Sequence, residues 1–277
     1  MDTTLFARPK IDCHCHLFDP EAFPYRPDTF YRPAGPEIAT AKYLTDVMDT
    51  YGVTHALLVG PNSGYDTDNR CMLDAVRRDG ARFKGIAVVT NDASRLQLQD
   101  LKAQGMVGVA LNVALLGMPF YEDADGLCER AADLDLFVQV QVKGDQMLAL
   151  APRLLGSGAR ILVDHHGRPD VARGLMSPGF QALLGMAESG RCNVKLSGFD
   201  KFSGDAYPFP NARPFTEALI AAFGPQHCMW ASDWPHVRAV QRLDYGPLLR
   251  LFANCVSSES MRRAILFETP KRLFGFQ

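Results

Sequence analysis

Short apolar runs alternate with longer stretches of helical periodicity from one end of the chain to the other. The runs at 10–15, 55–60, 83–89, 108–113, 136–142, 160–165, 192–197 and 227–233 are apolar at nearly every position. That is the pattern of parallel strands covered on both faces, not of strands with one wet side. Between them, residues 38–51, 69–78, 124–134, 146–155, 181–189, 213–223, 246–255 and 259–267 carry helical patterning. Strand three and the helix after it give the weakest signal. Parallel neighbours need right-handed crossovers, and such helices supply them. The alternation predicts one α/β domain spanning residues 1–277: a single (β/α)8 TIM barrel, slightly distorted.

Composition narrows the picture without changing it. The 277 residues suit one barrel, a fold of about 250 residues. A chain that is 47% hydrophobic and 22% charged is an ordinary globular one. Its formal charge of −2 gives neither nucleic acid nor an anionic membrane a reason to bind. No run approaches the roughly 20 apolar residues of a membrane span, and the first ten residues lack the apolar core of a signal peptide. Seven scattered cysteines, an odd number, suggest a reduced cytoplasmic protein. The expected partner is a small molecule, with a homo-oligomer left open.

Candidate chemistry gathers where this fold places reacting groups, at the carboxyl ends of strands. Residues two apart in a strand share a face, so His14 and His16 project together while Cys13 and Cys15 face away from them. Two imidazoles so placed can grip a metal or polarise a carbonyl if a carboxylate meets them. Asp233, ending strand eight, is the candidate, although an aspartate there can also cap a helix. Such a combination suggests a hydrolase. Asn62 and Tyr65 follow strand two, Asn112 ends strand four, and Gln141 ends strand five. His165 and Arg168 close strand six, Lys201 follows strand seven, and His236 follows Asp233. Arg168 reads equally as an ion-pair partner of Asp164 or Asp170. Lys195 is a barrel lysine without a firm role, His166 reads as structural, and His55 and His227 read as structural residues at the opposite face. The aromatic, proline-rich stretch 18–36 is long enough to wall or lid the barrel mouth, or to form an oligomer contact.

The phrases Val163-Asp164-His165-His166-Gly167-Arg168-Pro169-Asp170 and Ser232-Asp233-Trp234-Pro235-His236 are supported by Thr67-Asp68-Asn69, Gly85-Ile86-Ala87-Val88-Val89 and the ending from Thr269 to Phe274. In this order they resemble the amidohydrolase superfamily, and within it the lactonase branch of pyrone-dicarboxylate and sugar-lactone hydrolases. The resemblance implies a barrel that hydrolyses a cyclic ester, with His14, His16 and His165 as the site histidines and Asp233 as general base. It puts Arg168 and Lys201 where substrate carboxylates can be met. The strand-four segment, Val109 to Leu116, holds none of the arginines that clamp a dicarboxylate in that branch. A less anionic or more apolar lactone from aromatic or sugar catabolism is therefore expected.

Opening a lactone needs an activated water, a grip on the carbonyl oxygen and a proton for the leaving oxygen. Asp233 would move the proton, while the three histidines would stabilise the oxyanion directly or through an ion. No cofactor is obligatory on this reading. Alternatively, His14, His16, His165 and Asp233 complete one divalent site, zinc first. Two metals fit poorly, because strands four and five offer Asn112, Gln139 and Gln141 as bridging candidates. The competing activity is a metal-dependent decarboxylase of the same superfamily, which would ask Asp12 to serve as an acidic ligand on strand one.

Overall fold

The computed structural model describes residues 4–239 and 242–277. Eight parallel strands follow one another around a single sheet in sequence order. They are β1 (Lys10–Cys15), β2 (Val53–Val59), β3 (Phe83–Val88), β4 (Met106–Asn112), β5 (Phe137–Gln141), β6 (Arg160–Val163), β7 (Cys192–Leu196) and β8 (Cys228–Trp230). Every predicted strand is present, with ends shifted by a few residues. Helices join them on the outside, and the result is a slightly open TIM barrel. No helix among the described residues is long and apolar enough to cross a membrane.

Two apolar layers hold this arrangement. Outward strand residues such as Leu58, Val138, Ile161, Val194 and Trp230 pack under the helices. Inside the barrel, Ile11, Leu57, Phe137, Leu162 and Met229 form a second cluster, which Phe274 and Phe276 cover at the amino-terminal end. That plug leaves only the carboxyl-terminal end open for chemistry. The helix between β3 and β4, weakly signalled in the sequence, spans Arg95–Ala103 and starts on a capping box between Ser94 and Gln97.

One expectation fails in β1. The pairing of β1 with β2 shifts register between Asp12 and Cys15, and such a bulge breaks strict alternation. Cys13 therefore packs inside the barrel with Ile11 and Leu57, while Cys15 belongs to the outer layer. The same irregularity lets the first strand meet the last without a full ladder. The Asp233 backbone N–H donates to His14 O at 2.9 Å, and the His16 N–H to Trp234 O at 2.8 Å. The barrel seam is thus stapled by the backbone of three candidate site residues.

Candidate active site

At the open end the strand termini deliver their polar side chains to one cavity of about 440 Å³. Strand β1 brings His14 and His16 together, with Nε2 atoms 3.2 Å apart. Asp233 enters from the turn after β8. Its Oδ1 lies 3.4 Å from His16 Nε2, 3.7 Å from His14 Nε2 and 3.9 Å from His165 Nε2. Its Oδ2 faces Lys201 Nζ at 3.3 Å. Burial pushes the Asp233 carboxyl up, but the Lys201 ammonium first, then His165, His16 and His14, hold it well below the ordinary carboxylate range. Burial pushes His165 down to about 3, so its imidazole is neutral.

The backbone here is unusual. His165, His166, Arg168, Asp233 and His236 all have positive φ, between 45° and 65°. Residues other than glycine adopt this region at a cost, and such residues cluster at functional sites. The turn after β6 needs close support: a Cβ on Gly198 would lie 2.5 Å from the His165 ring. His165 Nδ1 meets Ser197 Oγ at 3.0 Å, and its Nε2 is buried with no partner among the described residues.

Of the predicted residues, His14, His16, His165, Asp233, Arg168, Lys201, Asn62, Asn112 and Gln141 all line the cavity. Asn112 donates to Asn62 at 2.9 Å, and Asn62 to Asp66 at 3.2 Å, forming one amide-lined wall. Arg168 pairs with neither Asp164 nor Asp170; its Nε is buried without a partner among the described residues. Tyr65 and His236 do not line the cavity. Tyr65 is buried against Phe18 and Tyr25, and its hydroxyl accepts from the Asp19 N–H at 3.1 Å. His236 is buried, its Nε2 unpartnered among the described residues. The stretch 18–36 is a wall of the mouth, contributing Phe18 and Phe30 to the cavity.

His166 is held between Ser197 O at 2.9 Å and Thr216 Oγ1 at 3.0 Å, a structural placement. Asp12 lies outside the cavity, accepting from the Ser232 N–H at 3.0 Å and from the hydroxyls of Ser232 and Tyr245. It is no ligand. Sequence reasoning missed two residues of the cavity, Lys143 and Arg238, and named Gln139, Asp164 and Lys195 without giving them a place in the site. Lys143 and Arg238 line the mouth, Gln139 and Asp164 line the cavity's base, and Lys195 sits beside them. Lys143 lies two residues past Gln141, so the strand-end rule could have found it; Arg238, in a loop, carries no such signal.

The donor set fits one divalent ion. Nitrogens bound tetrahedrally to zinc at about 2.0–2.1 Å lie about 3.3–3.4 Å apart. The separation of the His14 and His16 Nε2 atoms is close to that, the Asp233 oxygen faces both, and the bare, buried His165 Nε2 faces the same oxygen.

Known proteins share this architecture. Over 98% of its length the chain is 32% identical to a 4-sulfomuconolactone hydrolase from Rhizobium radiobacter, covering 92% of that protein. It is 26% identical to a 2-pyrone-4,6-dicarboxylate hydrolase from Comamonas testosteroni, over 95% of this chain and 89% of that one. The crystal structure of a probable 2-pyrone-4,6-dicarboxylic acid hydrolase from Acinetobacter baumannii, with citric acid bound, matches with a TM-score of 0.87 at 28% identity, over 96% of this chain and 99% of that one. The amidohydrolase family profile spans residues 11–276, and the chain belongs to the amidohydrolase family of enzymes, in the company of lactone hydrolases.

Proposed function

We propose that this enzyme hydrolyses a small lactone carrying one anionic group, with Asp233 as general base. The observation that carries the reading is the Asp233 carboxylate, one oxygen facing three imidazoles and the other held by Lys201. The pinned Oδ2 leaves Oδ1 to take a proton from water. That water attacks the lactone carbonyl, and the carbonyl oxygen becomes an oxyanion stabilised by imidazole N–H donors. Asp233 then returns the proton to the ring oxygen as the carbon–oxygen bond breaks, giving a ring-opened carboxylate. General acid–base work of this kind contributes about 10²–10⁴-fold. A divalent ion held by His14, His16, His165 and Asp233 would, when bound, polarise the carbonyl and acidify water.

Charge sets the substrate class. Lys143, Arg168, Lys201 and Arg238 line the cavity against two carboxylates, Asp164 and Asp233. Lys201 is engaged by Asp233, whereas the Arg168 guanidinium, its buried Nε without a partner among the described residues, is suited to a carboxylate or sulfonate. The opposite wall of Asn62 and Asn112 offers amides and suits a neutral polar substituent. The decarboxylase alternative finds no support in Asp12, which is committed to Ser232 and Tyr245.

The test is proton release from lactones carrying zero, one or two anionic groups, before and after chelation, beside Asp233→Asn. Preference for the single anion, lost in the variant, is the expected result. A lack of turnover on every lactone would sink the proposal, and activity abolished by chelator and restored by zinc would assign the histidines to a metal.

A further inference from the structure

Asp12 is fully buried within β1, and the chemistry above does not use it. It does not line the cavity, so its carboxylate can serve the site only through what it holds. Four donors converge on it. Oδ1 accepts from the Ser232 N–H at 3.0 Å and from the His14 N–H at 3.1 Å. Oδ2 accepts from the hydroxyls of Ser232 and Tyr245. An ionised carboxylate suits this place because it takes four donors on two oxygens and offers no hydrogen of its own. An amide of the same size would turn two hydrogens toward two hydroxyls.

The donors belong to the two sides of the barrel seam and to the helix behind it. The Ser232 hydroxyl gives its hydrogen to Asp12 and accepts from the Trp234 N–H at 2.9 Å. Between Ser232 and Trp234 stands Asp233, whose φ of 61° lies in the left-handed region. A residue other than glycine stays there only where its surroundings over-determine it. Around Asp233 they do: its N–H is held by His14 O at 2.9 Å, and its carbonyl by the His236 N–H at 2.8 Å. Across the seam, the bond from the His14 N–H lies at the register shift of β1, after which Cys13 and His14 both face inward. Tyr245 opens the helix Tyr245–Cys255, and its ring packs against Tyr51 and Trp230, so the fourth donor ties the carboxylate to the outer layer. We infer that Asp12 is a positioning residue that fixes Asp233 against His14 and His16, acting through the Ser232 hydroxyl on one side of the seam and the His14 N–H on the other.

The inference rests on Asp233 serving as the base, but its first readout needs no turnover. Ser232→Ala removes the hydroxyl that joins Asp12 to the Trp234 N–H and leaves the other three donors in place. Its crystal structure should show the Asp233 carboxylate displaced from the imidazoles. In the folded variant kcat should fall about 10–100-fold while KM moves little, since a misplacement of about 1 Å can cost about 10²-fold in rate. A purely structural role predicts a lower melting temperature, with Asp233 in place and kcat unchanged. Ser232→Thr and Ser232→Val share a shape and differ in the hydroxyl, and the first should turn over about 10-fold faster than the second. Tyr245→Phe keeps the ring and is the mildest variant; it should displace Asp233 in the same sense with a smaller loss of kcat. Asp233 left in place in folded Ser232→Ala, or in Tyr245→Phe where the first does not fold, would overturn the inference. Equal kcat in the Thr and Val variants would overturn it too, and failure of every variant to fold would mark the network as structural. A wild-type enzyme that opens no lactone would sink only the function proposed above, and the position of Asp233 in the variants would still decide this one.

Discussion

The base of the cavity and the ring above it are built from similar residues and differ in one respect. At the base, Gln139, Asp164, Lys195 and the Nδ1 side of His14 satisfy one another completely. In the ring, His165 Nε2 and Arg168 Nε are buried without partners among the described residues, as is His236 Nε2 outside the cavity. Buried polar groups are normally paired, because an unmet donor or acceptor costs about 1–3 kcal/mol. A satisfied network fixes position, whereas an unsatisfied atom facing a cavity is available to a ligand. His165 and Arg168 fit the second description. His236 does not face the cavity, and nothing in the structure explains its unmet nitrogen.

Substitutions can separate the two layers. The largest effect is expected in the ring: Asp233→Asn should lower kcat about 10³-fold with the melting temperature nearly unchanged. At the base the penalty should appear as stability instead. Asp164→Ala strands the buried Lys195 ammonium and should cost about 3–5 kcal/mol by urea unfolding. A variant as stable as wild type would show that the base is not a tightly coupled network. Arg168→Met should raise KM for a singly anionic lactone about 10–100-fold, in line with a lost charge-assisted hydrogen bond, and leave KM for a neutral lactone alone. Equal losses on both lactones would remove Arg168 from anion recognition. Smallest of all, Tyr65→Phe should cost about 1 kcal/mol through the lost contact with the Asp19 N–H, with KM and kcat unmoved.

The eight strands were legible because burial on both faces makes each an apolar run with little else in it. The Arg95–Ala103 helix was faint because its first leucine, Leu96, is exposed and only Leu98 is fully buried. Its capping residues, Ser94 and Gln97, were the better signal. In the site, His14, His16, His165 and Asp233 could be read because they stand at strand ends in recognisable phrases. Lys195 and Gln139 were harder, since a polar residue in the middle of an apolar strand announces burial but not its partners. Those partners come from neighbouring strands that only the closed barrel brings together. Cys13 was misplaced for a related reason: a bulge leaves no mark in a six-residue pattern.

The seam carries a consequence for how the molecule comes into being. The Asp233 N–H rests on His14 O, and the His16 N–H on Trp234 O, so the first and last strands meet through residues of the candidate site. During synthesis the amino-terminal histidines emerge long before their aspartate, and they wait for nearly the whole chain to follow. Contacts of such long sequence separation form late, after the entropy of closing the loop has been overcome. Lactone turnover should therefore be the last property a refolding sample regains, after helical signal has returned. It would serve as a clock for closure of the barrel itself.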